Sequence, residues 1–207
     1  MWGGCFNINT LRQTDSSNWE SVTKKDHFFK DVEVIKDVDE FIKLINRDRV
    51  LIGLDVAKYI LSKVRCTHLK LEKLVYLCYA DYLCRYDKKL FIDKIYAYKY
   101  GPVIETVYEK YKVYGYNEIR NDDKDISATN ILELPSKSRI LFAEDGIRKI
   151  GSIDKALDLY GNLTASELVD ITHRKNTPWD VSGSGQNSNR VISDIAIKKL
   201  HCNENIY

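Results

Sequence analysis

The sequence predicts a mainly α protein of the α+β type: a compact helical domain with a few short strands, plus an N-terminal extension with a strand and a helix. Three observations point there. LKLEKLVYLCYADYLCRY (69–86) is long and, from Leu74 to Ala80, apolar all the way round, as a helix is when other elements surround it. Helical periods recur on both sides of it, whereas only HFFKDVEVI (27–35) and IYAYKY (95–100) read as strands. A length of 207 residues with 44% hydrophobic and 30% charged composition supports one well-buried core with chain left over.

From Met1 to Arg49 the texture is polar and turn-rich before the strand, then helical. Asp37 stands as N-cap with Glu40 three residues on, and Val38, Phe41, Ile42 and Ile45 follow the helical period. NRDR (46–49) is the expected junction, so 1–49 is the extension and 50–207 the main domain. Trp19, Phe28 and Phe29 in the extension read equally as interface anchors or as local packing.

The main domain opens on LDVAKYILSKV, with Asp55 as cap and Val56, Tyr59, Ile60 and Val64 on adjoining turns. Thr67 is placed to cap the long helix. In IYAYKY, Ile95, Ala97 and Lys99 alternate with Tyr96, Tyr98 and Tyr100. Gly101-Pro102 then breaks the strand, with Pro102 as first residue of a helix, VIETVYEKYKVY. Val103, Ile104, Val107, Tyr108, Tyr111 and Tyr114 share one side of it, Gly115 stops it, and Tyr116 is placed to pack back on its last turn. RNDDKD (120–125) is a charged loop, and ISATNILEL takes no clear assignment. SIDKALDLYG gives a helix face of Ile153, Ala156, Leu157 and Tyr160. LTASEL holds a capping box, Thr164 with Glu167, flanked by Leu163 and Leu168 as a hydrophobic staple. That helix ends near His173 to Lys175, before Thr177-Pro178-Trp179. A loop, SGSGQNSN (182–189), and a last helix over 194–200 complete the chain.

Thirty-two Lys and Arg against thirty Asp and Glu, with no long single-sign block, leave no electrostatic footprint for nucleic acid as a direct partner. Five cysteines without CxxC spacing support neither a disulfide framework nor a zinc site, and Cys78 and Cys84 project about 240° apart on one helix. No secretory leader and no apolar run of membrane-spanning length are visible, so a soluble, cytoplasmic protein is expected. No P-loop, GxGxxG, HExxH or GxSxG motif appears, and no catalytic residue, cofactor or metal is assigned. A site assembled from distant residues would draw on His68, His173 or His201 with Asp81 or Glu105. Asp81, on an otherwise apolar helix, is read as structural. His173 beside Trp179 reads as a helix-end histidine packed on the indole, with a binding crevice as the other reading. Tyr98 and Tyr100 fit core or contact surface alike.

Residues 69–115, with the preceding DVAKYIL and the later ELVDITHRKNTPW, resemble the Panacea domain of SocA-like antitoxins, over roughly Leu54 to Leu200. The matching positions are Leu69, Lys70, Leu71, Lys73, Leu74 and Tyr76; Leu90 and Phe91; Lys99, Tyr100, Gly101, Pro102 and Val103; and His173, Pro178 and Trp179. Tyr79, Ala80 and Asp81 stand in place of a Gln-Gly-Trp-like run, Glu72 in place of a common Gln, and Tyr98 in place of a common Trp. The resemblance implies a type II antitoxin, not an enzyme, that binds a cognate protein toxin encoded nearby in a hetero-oligomer and masks its active or substrate site. The expected toxin is a translation inhibitor, such as an alarmone-synthetase-like enzyme that modifies tRNA. The implied alternative is an adaptor that delivers the toxin to an ATP-dependent protease. Partner-binding candidates are Trp19, Phe28, Phe29, Tyr98, Lys99, Tyr100, His173 and Trp179. A hydrolase using Asp81 or Glu105 with His173 is a weaker reading.

Overall fold

A computed structural model describes residues 19–25, 30, 35, 37–119, 135–183 and 190–202. Phe28, Phe29, most of the expected strand 27–35, the loop 120–125 and the stretch 126–134 lie outside them. Contacts divide the chain into two units, Met1–Arg47 and Asp48–Tyr207.

The first unit holds α1 (Trp19–Lys25) and nearly all of α2 (Val38–Asp48). Asp37 Oδ1 accepts from the Asp39 amide at 2.9 Å, which satisfies one free donor at the start of α2. Val38, Phe41, Ile42 and Ile45 form an exposed apolar stripe along α2.

The second unit is built around α4 (His68–Tyr86), in which every residue from Leu71 to Leu83 is buried. Thr67 caps it by accepting from the Lys70 amide, and Asp87 ends it in the left-handed conformation. Burying each large apolar side chain contributes about 1.5–3 kcal/mol, so this helix supplies the largest share of the core. Around it pack α3 (Gly53–Lys63), α7 (Gly146–Tyr160), α8 (Ala165–Thr172) and α10 (Asp194–Leu200), while α6 (Pro135–Leu141) lies against α3 and α7. The expected faces are buried: Val56, Tyr59 and Ile60 on α3, and Ile153, Ala156, Leu157 and Tyr160 on α7. The capping box of α8 forms in both directions, Thr164 N to Glu167 Oε2 at 2.7 Å and Glu167 N to Thr164 Oγ1 at 3.3 Å.

Several expectations need correction. Helix α3 begins two residues before Asp55, whose carboxylate instead accepts from the Ile52 amide at 3.0 Å. Gly101-Pro102 does not start a helix: β1 (Tyr96–Tyr98) turns back into β2 (Gly101–Val103), and α5 (Glu105–Tyr111) begins three residues after Pro102. The sheet order is β2-β1-β3, with β3 (Arg190–Val191) antiparallel to β1. Pro102 therefore lies on an edge strand, where its missing N–H breaks no ladder. Helix α5 tightens into a 3₁₀ turn at Lys112–Tyr114, so of the expected tyrosine face Tyr111 is buried while Tyr108 and Tyr114 are half-buried. Tyr116 is fully exposed rather than packed back.

Cysteine chemistry also differs from expectation. Cys84 and Cys202 form a disulfide, while Cys66 and Cys78 are free and buried. The reason lies in the packing of α10 along α4, which brings residues 118 apart in sequence to a Cα separation of 5.4 Å. Two more links join the same pair of helices. Tyr79 donates to Asp194 at 2.7 Å, and the buried Asp81 carboxylate meets His201 Nε2 at 3.0 Å. Asp81 is structural in this sense, with His201 as its partner. Among the described residues no helix is long and apolar enough to cross a membrane.

Candidate functional site

Three sequence stretches far apart in the chain converge where α4 meets the β1–β2 hairpin and the short α9 (Pro178–Val181). Consecutive residues of α4 hold the hairpin from beneath. Lys73 Nζ, fully buried, donates to the Pro102 carbonyl at 2.9 Å, and Glu72 Oε2 accepts from the Ile104 amide at 3.0 Å. Each satisfies a main-chain group that the edge strand leaves without a ladder partner.

From the other side, His173 caps the C-terminus of α8 and stacks on Trp179, with ring centroids 3.7 Å apart and planes 6° from parallel. Thr177 caps α9 and Pro178 occupies its first turn, which fixes the indole in place. Trp179 Nε1 donates to the Tyr98 carbonyl at 2.8 Å. The hairpin is thus clamped between a buried ammonium and carboxylate below and a stacked imidazole and indole beside it.

Gly101 makes the close approach possible. Its φ of +106° suits glycine, and a Cβ there would stand 2.7 Å from Lys73 Cε and Nζ and 3.2 Å from His173 Nε2. Lys99 and Tyr100 are not among the positive-φ residues, so the one residue of this hairpin turn with positive φ is Gly101, directly opposite Tyr98.

The charges are strongly perturbed. Burial pushes the Lys73 ammonium well below its ordinary range, against the partly restoring field of Glu72. Burial pushes the Glu72 carboxyl up, opposed by the Ile104 amide and by Lys73. His173 is lowered by burial and then by Lys73, with Asp170 and the Tyr100 main chain acting the other way. Among the described residues, Glu72 Oε1 and His173 Nε2 are buried without a hydrogen-bond partner.

The His173 shift fixes a sign. A histidine kept neutral by folding takes up its proton later than the unfolded chain does. Its contribution is therefore intact above its ordinary value of 6.5 and is lost as pH falls through the lower folded value. An NMR titration should place the His173 midpoint below 6.5, with the Trp179 signals moving in the same step.

The candidate residues divide. Tyr98, His173 and Trp179 meet in this cluster, where the Tyr98 hydroxyl also donates to Glu105 at 3.1 Å and its ring meets Tyr108 edge-on. Lys99 and Tyr100 are exposed at the hairpin tip, the lysine 5.3 Å from the centre of the tyrosine ring. Trp19 belongs to α1 of the first unit and is half-buried. Of the hydrolase candidates, Asp81 is paired with His201 and sits two turns, about 12 Å, along α4 from Lys73, while Glu105 accepts from the Tyr98 hydroxyl. Glu72 and Lys73 escaped selection because a hydrophobic helix hides which polar residues turn toward a strand. The cues were their position beside the apolar run and the place of Lys73 among the motif positions.

The comparisons agree with the convergence. The family profile described as "Antitoxin SocA-like, Panacea domain" matches residues 71–180, a span that takes in Lys73, Gly101, His173 and Trp179. The curated protein "Antitoxin SocA" from Caulobacter vibrioides (strain NA1000 / CB15N) is 30% identical over 142 residues, covering 65% of this chain and 71% of the relative. No solved structure gives a significant match. A buried clamp built from the family's motif positions, a profile match across it and this relative together place the chain in the family of SocA-like antitoxins with a Panacea domain.

Proposed function

We propose that this protein is a non-enzymatic, type II antitoxin that binds a cognate, translation-inhibiting toxin directly and masks its active or substrate site. The observation that carries the reading is the exposure pattern of the motif positions: among those matching the family, only Lys99 and Tyr100 are exposed. The remainder, from Leu71 and Lys73 to Pro178 and Trp179, build the clamp and the core around it. A shared motif set that is nearly all scaffold suits a protein that keeps one rigid frame and changes partners at its surface. In this reading the hairpin tip is one contact, and residues 1–49, with Trp19, Phe28, Phe29 and the apolar stripe of α2, supply partner specificity.

Co-expression with the product of the neighbouring gene tests the role: restored growth and a stable complex are expected, and neither would be seen if the proposal is wrong. Replacing Lys99 and Tyr100 together, as K99E/Y100A, should weaken toxin binding by about tenfold or more while leaving the melting temperature within about 2 °C, because both side chains are solvent-facing. Equal affinity of the double variant, read by calorimetry, would remove the hairpin tip from the interface. Removal of residues 1–49 should weaken neutralisation more than it weakens folding.

A further inference from the structure

Helix α10 is fastened to the domain more by links than by burial. Of its seven residues only Ile197 is buried, and Ile195, Lys198 and Lys199 are exposed. Its start is held by Asp194, which accepts from Tyr79 and pairs with Lys89 at 3.0 Å, and Lys198 pairs with Asp87 at the surface. Exposed ion pairs of this kind contribute little. Its end is held by His201 against Asp81 and then by the Cys84–Cys202 bond. The Asp81 contact carries a cost, because its Oδ2 is buried with no hydrogen-bond partner among the described residues. Lifting α10 away returns that carboxylate to water.

The two ends of the helix are anchored differently. Upstream, β3 pairs with β1, and the Ile192 amide donates to the Ile95 carbonyl at 2.8 Å. Downstream, the disulfide is the covalent tether. With the bond in place, α10 is tied at both ends and opening it gains little chain entropy; with the bond cut it is tied at one end only. The sulfurs are also placed for exchange. Cys202 is exposed and Cys84 half-buried, whereas Cys66 and Cys78 are buried and burial pushes both their thiols up, so neither competes as an internal nucleophile. Exchange proceeds by thiolate attack on an accessible sulfur, and exposed disulfides are the labile class.

We propose that Cys84–Cys202 is a reversible thiol-exchange site, and that α10 is a latch which the bond closes over Asp81 and which reduction by a low-molecular-weight thiol opens. The thiolate of the reductant attacks Cys202 Sγ, and Cys84 leaves as a thiolate that takes up a proton. A second thiol then attacks the mixed disulfide, frees Cys202 as a thiol and departs as the disulfide of the reductant, so two electrons pass to the protein pair. Helix α10 also packs against α9, whose Trp179 holds the Tyr98 carbonyl, so an open latch withdraws support from one side of the hairpin clamp. The switch itself does not depend on the toxin reading; only its bearing on toxin binding rests on that reading.

The test treats the full, oxidised chain with millimolar reduced glutathione under native conditions, then alkylates it and maps the labels by peptide mass. Cys84 and Cys202 are expected as free thiols with Cys66 and Cys78 unlabelled, and glutathione disulfide should restore the bond. Amide hydrogen exchange over 197–201 should quicken about tenfold or more in the reduced protein, and equally in the Cys84→Ser/Cys202→Ser variant, while the amides of Leu74 to Ala80 on α4 keep their protection. Exchange of the Trp179 indole N–H should quicken by a smaller factor. The proposal is overturned by a bond that resists glutathione in the folded protein, by equal exchange over 197–201 in the two redox states, or by reduction that deprotects α4 as much as α10, which would make the bond a staple of the whole domain. An unchanged Trp179 signal would remove the coupling to the clamp.

Discussion

Gly101→Ala will lower the stability of the domain by about 3 kcal/mol, which for a unit of this size is a fall of about 10 °C in melting temperature. Two penalties combine. An L residue at φ +106° is strained whatever space surrounds it, and the new methyl would stand 2.7 Å from Lys73 Nζ, whose bond to the Pro102 carbonyl it would displace. Moving the lysine away leaves that carbonyl unsatisfied in the interior, so relief of the clash costs a hydrogen bond. Gly115→Ala serves as the control. Its backbone, φ +53° and ψ −123°, is also one that L residues rarely adopt, but nothing lies within 4 Å of the added Cβ, so it should cost the strain alone, about 1–2 kcal/mol. Chemical unfolding of both variants measures the difference. Equal losses would mean that backbone strain alone sets the cost and that Lys73 does not press on the hairpin. Because Lys99 and Tyr100 ride on this turn, the Gly101 variant should also bind toxin more weakly at temperatures where it remains folded.

What the sequence made legible were features settled within one or two turns of chain. The capping box at Thr164, the Thr67 cap, the all-round apolar middle of α4 and the face of α7 are local patterns, and each appears where periodicity placed it. The failures share one cause. Pro102 suits the first turn of a helix and an edge strand equally well, and only the Lys73 and Glu72 bonds, 29 and 32 residues away, favour the strand. Strand β3 has two residues, too few for alternation to show. The Asp81–His201 contact and the Cys84–Cys202 bond both depend on α10 lying along α4, which no spacing rule encodes. For the site, His173 and Trp179 were visible because only five residues, the last of them Pro178, separate them. Their partner beneath the hairpin was hidden, since a lysine inside an apolar helix reads as an interruption until the chain that it bonds is in place.

The same clamp makes the charge pair on α4 the other point of high leverage. Lys73→Met should cost about 3–4 kcal/mol: it orphans the Pro102 carbonyl and deprives the buried Glu72 of its nearest opposing charge. Glu72→Gln should cost less, about 1–2 kcal/mol, because a glutamine oxygen still accepts from Ile104. The double variant should lose clearly less than the two single losses added together, since each charge is a penalty chiefly while the other is missing. Urea unfolding of the four proteins gives the coupling directly, and strict additivity would show that the residues act independently. The pH dependence provides a second readout. Lys73 is depressed, so the folded state holds fewer protons than the unfolded one between its folded value and its ordinary value, and stability rises with pH there. Glu72 is raised, so in its own window, above the ordinary carboxylate range, stability falls as pH rises. The two slopes oppose each other in the parent. Glu72→Gln deletes the falling one, so its stability should climb more steeply than the parent's from about pH 6 to about pH 9, whereas Lys73→Met should show the reverse.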